Sequence, residues 1–214
     1  MSQISTILFL STFNFATGMY PMECCSNCID KGPLSYRSTK MNYQLEICTD
    51  NLLSAITAAR SGADRLELSQ GLNVGGLTPS TGFLRMAKIN IKTIPIFMVV
   101  RPRTGNYVYT KDEIEQMIAD MKNSLQFGID GFVTGALTND GKIDRESCDA
   151  LIKAAGDKPV TFHRAFDLTR RDGDIFDIMS LGFKRILTSG RRNRASEGIP
   201  LIKKLVLQVQ VLLT

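Results

Sequence analysis

The sequence predicts an α/β fold, specifically a TIM-barrel-like (β/α) barrel that is incomplete, and three observations carry this reading. From residue 43 onward, short apolar runs alternate strictly with helical segments, which calls for a parallel sheet. The spacing of these units is roughly 25–35 residues, close to one eighth of a barrel of about 250 residues. Three phrases, SGADR (61–65), FGIDG (127–131) and LGFKR (181–185), each set a helix-ending glycine directly before a strand start. Six units are legible, two fewer than a closed barrel contains.

The elements follow in order. Residues 1–42 lack the rhythm and are expected to form a poorly ordered N-terminal extension. Within them, 4–15 is apolar but lacks a basic flank and a good cleavage site, so a secretory signal is disfavoured. Cys25 and Cys28 have CxxC spacing beside Cys24, yet no second pair or histidine follows to complete a zinc site. Met41 is a candidate alternative start. The domain proper runs over 43–214. Its first strand is 43–48 (YQLEIC), followed by a helix over 51–61. The second strand is 64–68, then a glycine-rich loop and a helix over 80–90. The third, 94–100 (IPIFMVV), is nearly continuous in apolar residues, as a strand covered on both faces must be. Thr110 caps a helix reaching Phe127, with Asp112 and Glu113 in its first turn where the helix dipole favours them. A strand over 130–134, a helix over 145–155, a strand over 159–163 and a helix over 172–181 follow. The sixth strand is 184–188 (KRILT) and the sixth helix 196–207. The remaining tail, ending KLVLQVQVLLT, supplies no further β-α unit, so the barrel is expected to lack its last two.

Composition narrows the function. With 214 residues, 43% of them hydrophobic and 22% charged, the chain is long and apolar enough for one sizeable core. The net charge is +5, much of it late in the chain, without the aromatic interleaving of a nucleic-acid reader. It reads as a solvated face. No apolar run reaches the length of a membrane span. Five cysteines, an odd number without a regular framework, argue for a reducing compartment, and a cytoplasmic protein is expected.

In parallel barrels, sites are built where strands end. Those ends are polar here: Glu46 and Cys48 on the first strand, Glu67 and Ser69 on the second, Arg101 and Arg103 after the third. Thr134 follows on the fourth, His163 and Arg164 on the fifth, Thr188 and Ser189 on the sixth. His163, in the stretch TFHRAFD, is the only histidine. Glu46, Glu67 and His163 are the candidates for acid–base or metal-binding work, although no catalytic role is assigned to them. Arg101 and Arg103 can clamp a small anion, and Gly75-Gly76 allow backbone to approach a ligand. Cys48 and His163 are a soft-ligand pair suited to Cu(I) if a second thiolate or thioether joins them. Structural ion pairs at the barrel mouth and a tight turn with a helix cap explain the same residues without a ligand.

Together, LEICTDN (45–51), GADRLELSQGLNVGGLTPS (62–80), VVRPRTGNYVYT (99–110), GFVTGALTNDGKID (131–144), VTFHRAFD (160–167) and RILTSG (185–190) closely resemble the CutC copper homeostasis family. The resemblance implies a TIM-barrel-like cytosolic protein linked to copper handling, commonly a homo-oligomer. It also implies copper ligands among cysteines at the ends of the first two strands. Cys48 matches the first of these and is the metal-ligand candidate, whereas Ser69 stands at the second. A hydroxyl is a poor Cu(I) ligand. Two expectations result: a copper homeostasis protein that binds copper ion through Cys48, or a TIM-barrel enzyme for a small anionic metabolite using Glu46, Glu67, Arg101 and His163.

Overall fold

Strands with both faces covered should pair in parallel and carry helices outside. The computed structural model, which describes residues 9–11 and 44–211, has this arrangement. Six parallel strands form a half-barrel: β2 (Glu46–Thr49), β3 (Arg65–Leu68), β4 (Ile96–Val99), β5 (Gly131–Thr134), β6 (Val160–Phe162) and β7 (Arg185–Leu187). A further strand, β1 (Phe9–Ser11), lies antiparallel on β7, with Leu10 opposite Ile186. The sheet order is therefore β1-β7-β6-β5-β4-β3-β2. Phe9–Ser11 thus forms a strand inside the segment expected as a poorly ordered extension. A three-residue antiparallel strand has no place in a β-α rhythm and so leaves no periodic signal. The cysteines at 24, 25 and 28 and Met41 lie outside the described residues.

The helices are α1 (Leu52–Arg60), α2 (Thr81–Asn90), α3 (Lys111–Leu125), α4 (Arg145–Ala155), α5 (Asp174–Ser180) and α6 (Ala195–Val211). Each of the first four begins at a side-chain cap that accepts a backbone N–H: Asn51, Ser80, Thr110 and Asp144. Thr110 and Glu113 close a reciprocal capping box, two orphan donors satisfied together. Helix α6 extends beyond the expected 196–207 and carries Pro200 within it. Two short 3-10 turns, Leu72–Val74 and Arg164–Leu168, sit in loops that the periodicity does not reach.

Alternation along the strands divides two environments. Outward-facing Leu66, Leu68, Ile96, Met98, Phe132, Val160, Phe162 and Ile186 join the helices in the main core. The opposite, concave face carries Phe97, Val99 and Val133 as a separate apolar cluster, together with the buried polar residues of the strands. Gly131 makes this packing possible, because a Cβ there would lie 2.2 Å from the Phe97 ring. At the other end of the sheet the loop after β7 closes directly on α6. A Cβ on Gly198 would lie 1.9 Å from the Ser189 carbonyl oxygen.

Candidate functional site

The polar residues of the concave face occupy two levels. Register pairs Glu46 with Arg65, Cys48 with Glu67, and Glu67 with Phe97, which sets these residues low in the half-barrel. Arg101 lies two residues beyond Val99, and His163 two beyond Thr161, which sets both at the strand ends. Val99 and Val133 lie between the levels. Glu46 and Glu67 therefore do not share the mouth with Arg101 and His163 as the strand-end reading expects. A two-residue step along a strand is about 6.6 Å, so residues on one face can still be a full layer apart.

At the mouth, Arg101 is the organising residue. Its Nη1 donates to the carbonyls of Val74 (3.1 Å) and Gly76 (3.2 Å), and Nη2 donates to Gly105 (3.2 Å). Its backbone N–H donates to Thr78 Oγ1 at 2.9 Å. Gly75 and Gly76 have φ of 89° and 81°, and a Cβ on Gly75 would lie 3.1 Å from Arg101 Nη1. The glycines thus first serve to fold their loop onto Arg101. The guanidinium also lies 4.7 Å from the Tyr107 ring, which meets the His163 ring edge-on at 4.5 Å.

His163 is 5% exposed and accepts the Ala165 N–H at Nδ1 (3.4 Å). The neutral ring therefore carries its proton on Nε2, a buried donor without a partner. Burial, followed by the positive charge of Arg101, pushes its pKa down to about 3, so the imidazole is neutral at physiological pH. Ser69 Oγ, Arg101 Nε and Tyr109 OH are likewise buried without partners. Four polar groups in this region thus lack a partner within the chain, and each calls for a water, a ligand or a small rearrangement to satisfy it. Arg103 does not join them. It pairs with Glu113, donates to the Val108 carbonyl (2.8 Å) and lies beside the Tyr109 ring, bracing the start of α3.

On the lower level Arg65 pairs with Glu46, and its Nη1 donates to Gln44 (3.0 Å). The Cys48 thiol donates to Glu67 Oε1 at 3.2 Å. Burial, then the charge on Glu46, raises Glu67 to about 8. Burial, then the neighbouring Glu67, pushes the Cys48 thiol well above its ordinary range. Two guanidinium groups, those of Arg185 and Arg65, lie over the Phe97 ring at 4.1 and 4.9 Å. Arg65 is not among the residues the sequence points to, and Arg185, one of the late charges expected on a solvated face, is instead buried, because it holds an inward position of the strand alternation. Nor does the sequence point to Tyr107 and Tyr109, which reach the mouth from an irregular loop.

The last strand ends serve structure. Asp167 accepts from the Thr188 hydroxyl (2.5 Å), the Ser189 N–H (3.1 Å) and hydroxyl (2.9 Å), and the Arg191 N–H (3.0 Å). Arg164 donates to the same carboxylate, and Thr134 donates to the Val100 carbonyl. Among the described residues no three His, Cys, Asp or Glu side chains gather closely enough to hold a metal ion. Cys48 is the one soft ligand on the lower level, and Ser69 brings no second thiolate. The donor set does not make a preformed Cu(I) centre.

Residues 43–213 match the family model for the CutC family. The chain is 46% identical over 169 residues to the copper homeostasis protein cutC homolog of Homo sapiens, covering 78% of this chain and 62% of that protein. It is 42% identical over 163 residues to the homolog of Caenorhabditis elegans, covering 76% and 65%. The chain thus spans less than two thirds of the length of these curated relatives. A CutC crystal structure from Streptococcus agalactiae superposes with a TM-score of 0.73 at 34% identity, covering 77% of this chain and 82% of that one. The six-strand half-barrel, the strand-end motifs and these matches agree, and the chain belongs to the CutC family.

Proposed function

We propose that the protein serves copper homeostasis in the cytosol and that Cys48 is the residue that takes copper as cargo. Family membership carries the reading, supported by the position of Cys48 as the half-buried thiol of an edge strand. A single thiolate with hard neighbours suits a transient copper contact better than a closed centre. Copper uptake there must displace the thiol proton now shared with Glu67. The test is a Cu(I) titration of reduced protein against a competing chelator, with Cys24, Cys25 and Cys28 changed to Ser so that they do not contribute. Uptake of one Cu(I) per chain, lost in Cys48→Ala, supports the reading; equal uptake by both proteins sinks it.

A second reading has its own support. Arg101 Nε and His163 Nε2 are buried donors without partners in the mouth of a barrel whose strand ends face a ligand side. They suit a small anionic metabolite, with the guanidinium supplying charge and the neutral imidazole a directional N–H. A thermal-shift screen of small carboxylates and phosphates tests it. Stabilisation that disappears in His163→Gln supports this reading, and the absence of any stabilising anion removes it.

A further inference from the structure

Below the mouth, Arg185 is a buried cation without a carboxylate contact. The residue is 6% exposed, and among the described residues it takes part in no ion pair. Its Nε donates to Thr161 Oγ1 at 3.1 Å, and its Nη2 is buried with no acceptor. The Phe97 ring at 4.1 Å covers one side of the guanidinium but offers no hydrogen-bond acceptor. Arg65, the other cation over this ring, is committed to Glu46 and Gln44. A buried guanidinium in this state is costly unless its charge is met and its donors are filled.

Thr161 extends the observation. Its hydroxyl oxygen accepts from Arg185, which leaves the hydroxyl hydrogen to donate elsewhere. Thr161 and Arg185 are paired directly across β6 and β7, so the two donors stand side by side on the concave face. Burial, then Arg65, lowers the Arg185 pKa to about 10, which still leaves it charged at neutral pH; Glu46 and Glu67 act on it in the opposite sense without forming an ion pair with it.

We propose that Arg185 and Thr161 form a binding site for a small oxyanion on the floor of the half-barrel, separate from the Arg101–His163 mouth. The geometry commits to an oxyanion because Arg185 Nη2–H and the Thr161 hydroxyl are directional donors, which match oxygens better than a halide. Thr161 pairs with Val133 across β5 and β6 and stands one two-residue step, about 6.6 Å, before His163, so the site lies one layer below the mouth.

Inorganic sulfate is the probe, titrated calorimetrically into the full chain against sodium chloride at matched ionic strength. One sulfate per chain should bind, at least tenfold weaker in Arg185→Met and several-fold weaker in Arg185→Lys, which keeps the charge but loses the fork. Thr161→Val keeps the side-chain shape, removes only the hydroxyl, and should weaken binding several-fold; it carries the test if Arg185→Met does not fold. His163→Gln should bind sulfate as the parent does. Absence of sulfate binding to the parent, unchanged binding in the Arg185 and Thr161 variants, or loss of binding in His163→Gln would each overturn the assignment. The last outcome would place the anion in the mouth and leave the anion reading of that region standing.

Discussion

Acidification should destabilise this protein through its single histidine. His163 has an ordinary pKa of 6.5 that falls to about 3 in the folded chain, because burial and then Arg101 oppose the imidazolium. The unfolded chain takes up this proton at about pH 6.5 and the folded chain does not until about pH 3. The penalty is therefore absent above pH 6.5, grows as pH falls, and is complete below pH 3. Each pH unit within that window costs about 1.4 kcal/mol, so the step from pH 6.5 to pH 4 costs about 3 kcal/mol. Carboxylates titrate over part of the same range, so the comparison must be with His163→Gln, which keeps a polar side chain and removes the titration. Urea unfolding at several pH values measures both proteins. The parent should lose about 3 kcal/mol more than the variant over that interval. Because no other histidine is present, its ring resonances can be followed by NMR without assignment. Parallel loss of stability in the two proteins, or a ring that titrates near 6.5 in the folded state, would refute the buried neutral imidazole.

Three further outcomes are expected. Gly131→Val should destabilise by about 1–3 kcal/mol in urea unfolding, because the new Cβ must displace the Phe97 ring over which Arg65 and Arg185 lie; a neutral effect would mean that the ring does not fill that space. Asp167→Ala should cost roughly 3 kcal/mol, since it strips acceptors from Thr188, Ser189 and Arg191. Hydrogen exchange at the amides of Ser189 and Arg191 should accelerate, and unchanged protection there would contradict the role of Asp167 as anchor of the loop after β7. Thr110→Ala should cost about 1 kcal/mol through the capping box of α3, measured by equilibrium unfolding; no loss would show that Glu113 holds the helix start through Arg103 alone.

The β-α rhythm was legible because helices and covered strands carry periods that local sequence must obey. Arg145–Ala155 matches the expected helix at both ends, and the other strands and helices from β2 to α5 fall within about three residues of their expected limits. What escaped was non-local. The pairing of Phe9–Ser11 with β7 joins residues far apart in sequence, and three residues cannot show a period. The division of the concave face into two levels depends on strand register, which alternation alone leaves open. Glu46, Glu67, Arg101 and His163 all face inward, yet their heights follow from which residues pair across strands. Arg65 and Arg185 carried an available signal, since each occupies an inward position in the same alternation that places Glu67 and His163. Arg103, beside Arg101 in the sequence, is instead claimed by Glu113 at the start of α3.

Copper binding at Cys48 is proposed for a protein whose described residues hold no ready-made metal cluster. The most direct measurement is Cu(I) competition on reduced protein bearing Ser at positions 24, 25 and 28, with and without Cys48→Ala. One Cu(I) per chain, held weakly and lost with Cys48, is the predicted result. Copper uptake that persists without Cys48, or no uptake by the parent, would contradict it.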